Sequence, residues 1–167
     1  MLKKTIEIEL KFKVKDPLEL FKRIDGVRPK ALYIQDSIYN KGKERVRVRT
    51  TFSNGFITKE IEKTTRLKGD VKKVIEEQIK RIPKGYKLRN SYEKIRYAFK
   101  RNGYEIAVDF YPIGVFCEIE GNEKLIKKVA KDLGLKGNIT ENIDSIYCEM
   151  CYEYEIKPKA NWGFGRL

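Results

Sequence analysis

The stretch Ile6-Glu7-Ile8-Glu9-Leu10-Lys11-Phe12 alternates apolar and charged residues without a break. In an extended strand successive side chains point to opposite faces, so Glu7, Glu9 and Lys11 share one face and Ile8, Leu10 and Phe12 the other. At about 3.3 Å per residue the charged face covers roughly 13 Å, a length that suits a polyanion with a metal ion at one end. A strand with a wet outer face reads the same way. The weight of the pattern therefore depends on how often it returns.

It returns along most of the chain. Arg45, Arg47 and Arg49 share a face opposite Val46 and Val48, and Lys94 and Arg96 are backed by Ile95, Tyr97 and Phe99. Glu105 and Asp109 are backed by Ile106, Val108 and Phe110, and Glu118 and Glu120 alternate with Cys117 and Ile119. Between residues 71 and 79 the apolar face is Val71, Ile75 and Ile79, which leaves Lys72, Glu76 and Gln78 on the polar side. Strands are expected over 5–14, 33–39, 44–51, 55–64, 71–79, 91–101, 104–111 and 115–121. Turn signals punctuate them at Lys41-Gly42, Asn54-Gly55, Lys68-Gly69-Asp70, Pro83-Lys84-Gly85, Asn102-Gly103 and Pro112-Ile113-Gly114. Asn102-Gly103, set between two alternating runs, is the clearest hairpin signal.

Three helices are expected. Asp16 before Pro17 reads as an N-cap with proline at the first helical position, followed by Leu18, Phe21 and Ile24 at helical spacing. A second helix is expected over 123–133, with Leu125, Ile126, Val129 and Ala130 on one face and Gly134 as its stop. A third is expected over 140–151, where Ile143, Ile146, Tyr147 and Met150 repeat. Eight short strands with few helices indicate a mainly β, α+β fold: a closed eight-stranded antiparallel β-barrel with helices packed outside.

Such a barrel can close in two ways. The apolar faces can meet inside and leave the charges to solvent, or the charged faces can line a tunnel while amphipathic helices cover the apolar exterior. The helices need an apolar surface to pack on, which favours the tunnel.

The 167 residues are enough for one domain with a core, expected over 1–156 and followed by a C-terminal tail over 157–167. The tail could close one tunnel mouth or pair with a second copy of the chain in a homodimer. Thirty-seven Lys and Arg against 24 acidic residues give a net charge of +13, which points to an anionic partner: nucleic acid, a phosphate-rich small molecule or acidic lipid. No apolar run approaches the roughly 20 residues of a membrane span, no signal segment precedes the first strand, and a cytoplasmic location is expected.

There is no histidine, which removes Ser-His and Cys-His nucleophiles and His-ligated metal sites. Cys117, Cys148 and Cys151 are too few and too unevenly spaced for a disulfide framework, and Cys148 with Cys151 cannot alone complete a structural zinc site. Chemistry in this chain falls to carboxylates, amines, guanidiniums, hydroxyls and any metal held by oxygen.

Taken in order, Glu7-x-Glu9-x-Lys11, Gln35-Asp36-x-x-Tyr39, Arg47-Val48-Arg49, Lys94-x-Arg96, Val108-Asp109 and Gly114-x-Phe116-x-Glu118-x-Glu120 resemble the signature of the CYTH superfamily, the triphosphate tunnel metalloenzymes. The resemblance runs over roughly residues 5 to 150. It implies an eight-stranded tunnel that binds a triphosphate compound lengthwise and acts on it with Mg²⁺ or Mn²⁺. Glu7, Glu9, Glu118 and Glu120 would hold the metal through oxygen. Lys11, Arg47, Arg49, Lys94 and Arg96 would bind the phosphates, the arginines by bidentate contact.

The resemblance further implies catalytic parts for Lys59, Glu76 and Asp109. The middle of the chain departs from the family pattern. The lysine that follows the arginine strand has two candidates, Lys59 and Lys63, and the central Glu-x-Glu appears as Glu76-Glu77-Gln78. Asp36 and Asp109 fit a structural ion pair as well as a catalytic role, and Arg45 fits a solvated strand end. The expected activity is metal-dependent hydrolysis of inorganic triphosphate, thiamine triphosphate or a nucleoside triphosphate. A class IV adenylyl cyclase is the alternative within the fold, and a non-catalytic polyphosphate or RNA binder, using the charge and the nineteen aromatic residues, the alternative outside it.

Overall fold

The computed structural model describes residues 4–24, 26, 28–67 and 71–164. The expected turn at Lys68-Gly69-Asp70 and the last three residues of the tail lie outside the described residues. The described residues form nine strands and three helices in chain order: β1 (Lys4–Val14), α1 (Pro17–Arg23), β2 (Lys30–Lys41), β3 (Glu44–Ser53), β4 (Phe56–Leu67), β5 (Lys72–Gln78), β6 (Lys87–Arg101), β7 (Tyr104–Tyr111), β8 (Gly114–Gly121), α2 (Glu123–Asp132), α3 (Ile143–Glu153) and β9 (Asn161–Trp162).

The strands pair in the order β2-β3-β4-β5-β1-β8-β7-β6, and β6 pairs back onto β2, so eight antiparallel strands close into a barrel. β9 adds a short parallel pairing on β6. The Asn102-Gly103 turn joins β6 to β7 with Arg101 opposite Tyr104 and Gly103 at φ +86°, the left-handed conformation this hairpin needs.

The barrel is inverted, as the helices require. Leu10, Phe12, Ile106, Val108, Cys117 and Ile119 point outward and are buried, because α1 and α2 cover them with Leu20, Ile24, Ile126 and Val129. Each such buried aliphatic side chain contributes roughly 1.5–3 kcal/mol. Asp16 caps α1 by accepting from the Glu19 N–H at 3.0 Å, and Asn122 caps α2 in the same manner from Lys124 at 3.1 Å.

α3 departs from the expected arrangement. It begins at Ile143, with Asn142 at its N-cap, and sits over one end of the barrel rather than outside it. There Ile143, Tyr147 and Cys151 form a second apolar cluster with Ile38, Tyr92, Tyr111 and Phe116, residues on the tunnel side of their strands. Within the described tail, Trp162 is fully buried in this cluster and Gly163 is buried, while residues 157–161 and Phe164 are exposed. None of the described helices is long and apolar enough to cross a membrane. All three cysteines are free thiols; Cys117 and Cys151 are buried and Cys148 is exposed.

Candidate active site

The barrel interior holds a cavity of about 440 Å³. Strand parity fixes what faces it: odd residues of β1, β3 and β7, and even residues of β2, β4, β6 and β8, turn their side chains inward. The lining brings together nine carboxylates (Glu7, Glu9, Asp36, Glu60, Glu62, Glu76, Glu105, Glu118 and Glu120) and eight cations (Lys11, Arg45, Arg47, Arg49, Lys72, Lys94, Arg96 and Lys100). A protein of net charge +13 thus encloses a tunnel in which acidic and basic side chains are nearly matched in number.

Most cations are held by carboxylates. Arg49 donates through Nε and Nη2 to Asp36 at 2.8 and 2.7 Å. Arg47 Nη2 bridges Glu62 at 2.6 Å and Glu76 at 2.7 Å. Asp109, fully buried behind the lining, takes Lys94 Nζ at 2.6 Å and both Nε and Nη2 of Arg96 at 2.7 Å. Arg96 also pairs with Glu118, whose other oxygen lies 3.0 Å from Lys11 Nζ. These forks fix the guanidinium planes before any ligand arrives.

The environment separates the acids into two groups. Burial acts to raise Glu118, but Lys11, Lys94 and Arg96 hold it well below the usual carboxylate range. Burial and then the neighbouring charges of Glu76 and Glu120 push Glu7 up to about 8, and Glu120 is raised by burial and by Glu105 and Glu9. Glu7 and Glu120 are therefore crowded by like charge that no side chain fully offsets. Among the cations, burial and the adjacent Arg96 bring Lys94 down to about 8.

A hard divalent cation is the ligand such crowded carboxylates suit. Glu9 lies directly opposite Glu120 on the β1–β8 ladder, and Lys11 opposite Glu118. Among the described residues no three acidic or sulfur side chains converge on one point; Glu9 is tied to Lys72 at 2.5 Å and Glu118 to Lys11 and Arg96. The donor set fits in its chemistry, all-oxygen and electrostatically crowded, with Glu7 and Glu120 the members under most strain.

The residues expected from sequence are brought together with one exception. Glu7, Glu9, Lys11, Arg47, Arg49, Glu76, Lys94, Arg96, Glu118 and Glu120 line the cavity, and Asp109 supports it from behind. Lys59 does not: it is exposed on the outer face of β4, opposite Thr50, so its expected place in the tunnel is corrected. Lys63, the other candidate, also points outward and pairs with Glu44. The positions on β4 that do face the tunnel are Glu60 and Glu62. On β5 the lining residues are Lys72, Glu76 and Gln78, while Glu77 is exposed. Arg45 lies in the tunnel wall and contacts Asp144 of α3 at 3.5 Å. Tyr92 and Tyr111 also line the cavity; their strands' alternation signals the facing, though not their presence in a site.

No family model matches the sequence, and no curated protein matches it. Solved structures do. A protein from Pyrococcus horikoshii OT3 superposes with a TM-score of 0.67 at 20% identity, over 89% of this chain and 99% of the other. A candidate adenylate cyclase from Vibrio parahaemolyticus gives 0.62 at 17% identity, over 85% and 97%. A candidate adenylyl cyclase from Hippeastrum, described as having a dominant triphosphatase activity, gives 0.57 at 12% identity, over 96% and 99%. At these identities the likeness speaks for the fold alone: the chain shares the fold of these structures.

Proposed function

We propose that the protein is a divalent-metal-dependent hydrolase of a triphosphate compound bound along the tunnel. The observation that carries this reading is the inward-facing array in which Lys11, Arg47, Arg49, Lys94 and Arg96 share one cavity with nine carboxylates. Phosphoryl transfer calls mainly for positioning and charge stabilisation, so a site without histidine or an activated nucleophile is sufficient.

In this mechanism Arg47, Arg49 and Arg96 bind non-bridging phosphate oxygens, their planes set by Glu62, Asp36 and Asp109. Lys11 and Lys94 add point charge from the wall. Glu7, Glu9, Glu118 and Glu120 would hold Mg²⁺ or Mn²⁺, with Glu76 beside Glu7. The cation would supply positive charge to the phosphate oxygens and acidify water at the site. Without the cation, burial and the neighbouring Glu76 and Glu120 raise the Glu7 carboxyl. Asp109 acts as a positioning residue, because Lys94 and Arg96 stand between it and the cavity.

The lining is charged almost throughout, with Tyr92, Tyr111 and Ile143 as its main apolar surface. That favours a phosphate chain over a buried nucleobase, and hence hydrolysis over cyclisation of ATP. Phosphate release from inorganic triphosphate tests the reading: it should require Mg²⁺ or Mn²⁺, stop with chelator and vanish in Glu9→Ala. Binding of RNA or polyphosphate that survives chelation and weakens steeply with salt, without turnover, would move the protein to a binding role.

A further inference from the structure

β6 has 15 residues and its hairpin partner β7 has eight. Their pairing ends at Ile95 opposite Phe110. From Lys87 to Lys94, β6 keeps β2 on one flank but has lost its barrel neighbour on the other. A lateral slot in the tunnel wall results, beside Tyr92 and Lys94, two of the residues that face the cavity.

The C-terminal segment fills this slot. The Ser91 N–H donates to the Ala160 carbonyl at 2.7 Å, the Ser91 and Asn161 side chains bond to each other, and Trp162 stands in parallel register with Tyr92. The Trp162 ring stacks on Tyr147 at 4.5 Å and on Tyr92 at 5.0 Å, and lies 6.3 Å from Tyr111. Tyr111 in turn faces Lys94 Nζ at 5.3 Å from its ring centre. Gly163 rests on Glu93, where even a Cβ would collide with the carboxylate, and the Phe164 N–H donates to Glu93 at 2.5 Å.

We propose that Trp162 is a positioning residue for the tunnel: the C-terminal strand seals the slot between β6 and β7 and holds Tyr92 and Lys94 where the phosphate chain meets them. The proposal rests on the triphosphate reading above. Aromatic stacking across the wall couples the strand to the cavity, because the ring that Trp162 covers on one side lines the tunnel on the other.

The test uses the full chain with Trp162→Ala, Trp162→Phe and, as a control, Tyr152→Ala, whose side chain is exposed on the outer side of α3. Calorimetry with inorganic triphosphate and steady-state phosphate release are the readouts, with circular dichroism to check the fold. Trp162→Ala should weaken triphosphate binding about tenfold, equivalent to about 1.4 kcal/mol, and raise KM more than it lowers kcat. Trp162→Phe should return affinity to within about twofold of wild type, and Tyr152→Ala should change nothing.

A folded Trp162→Ala protein with wild-type affinity and KM overturns the proposal. If that variant does not fold, the wild-type protein decides, since Trp162 is the only tryptophan in the chain. Its emission should shift or be quenched on saturation with triphosphate, and unchanged emission overturns the proposal. Wild-type protein that binds no triphosphate overturns the functional reading, and the inference with it. Triphosphate binding indifferent to residue 162 overturns the inference alone.

Discussion

Arg49 and Asp36 meet fork to fork across the β2–β3 ladder, with two parallel hydrogen bonds of 2.8 and 2.7 Å and Asp36 only 2% exposed. Burial acts to raise the Asp36 carboxyl, but the Arg49 charge and its hydrogen bonds hold it well below the usual range. A carboxylate depressed in the folded state contributes stability that is present above its unfolded pKa, about 3.9, and lost as the pH falls below it. Asp36→Asn should cost about 3 kcal/mol at pH 7, measured by urea denaturation, because it leaves Arg49 without its partner. The variant should also show a shallower loss of stability than wild type below pH 4.

Lys94 titrates in the opposite sense. Its folded pKa of about 8 lies below the unfolded value of about 10.4, so between these the unfolded chain binds more protons and stability rises with pH. Lys94→Met should abolish that rise. Bound triphosphate favours the charged form, so metal-free binding at pH 9 should take up a proton in wild type and not in the variant. Calorimetry in buffers of different ionisation enthalpy reads this directly.

The two faces of the β3–β4 ladder should behave differently under mutation. Arg47 and Glu62 pair inside the tunnel, whereas Lys59 sits on the outer face opposite Thr50. Arg47→Ala should lower kcat/KM for triphosphate by roughly 100-fold or more, as expected for a lost charge-assisted contact in a water-poor site. Lys59→Ala should leave kcat/KM within about twofold of wild type, since substitutions away from a site are close to neutral.

Glu7 and Glu120 crowd one another and their neighbours, so a divalent cation should relieve that repulsion and raise the melting temperature. Mg²⁺ or Mn²⁺ at millimolar concentration should increase Tm in wild type and have little effect on Glu9→Ala. Differential scanning fluorimetry checks it.

Most of the barrel was legible because its strands alternate: once the buried Val46 and Val48 are set on the outer face of β3, the three arginines must face inward. β4 was not legible. Phe56 and Ile57 are adjacent and both exposed, so the strand carries no alternation at its start from which to read a face. Its register is set instead by the ladder, which places Glu62 opposite Arg47 and turns Lys59 out. Arg45 read as a strand end because its contact with Asp144 comes from a helix about 100 residues away. The role of Trp162 was hidden for a related reason. Its polar, proline-containing surroundings look like a loose tail, and the slot it fills exists only because β6 outruns β7.

Metal-dependent hydrolysis of triphosphate in the tunnel can be read by ³¹P NMR. Wild type and Glu9→Ala would be incubated separately with inorganic triphosphate and with ATP, in Mg²⁺ or Mn²⁺. Wild type should release orthophosphate from triphosphate and the variant none. Pyrophosphate and a cyclic nucleotide from ATP, with triphosphate left intact, would contradict triphosphate hydrolysis.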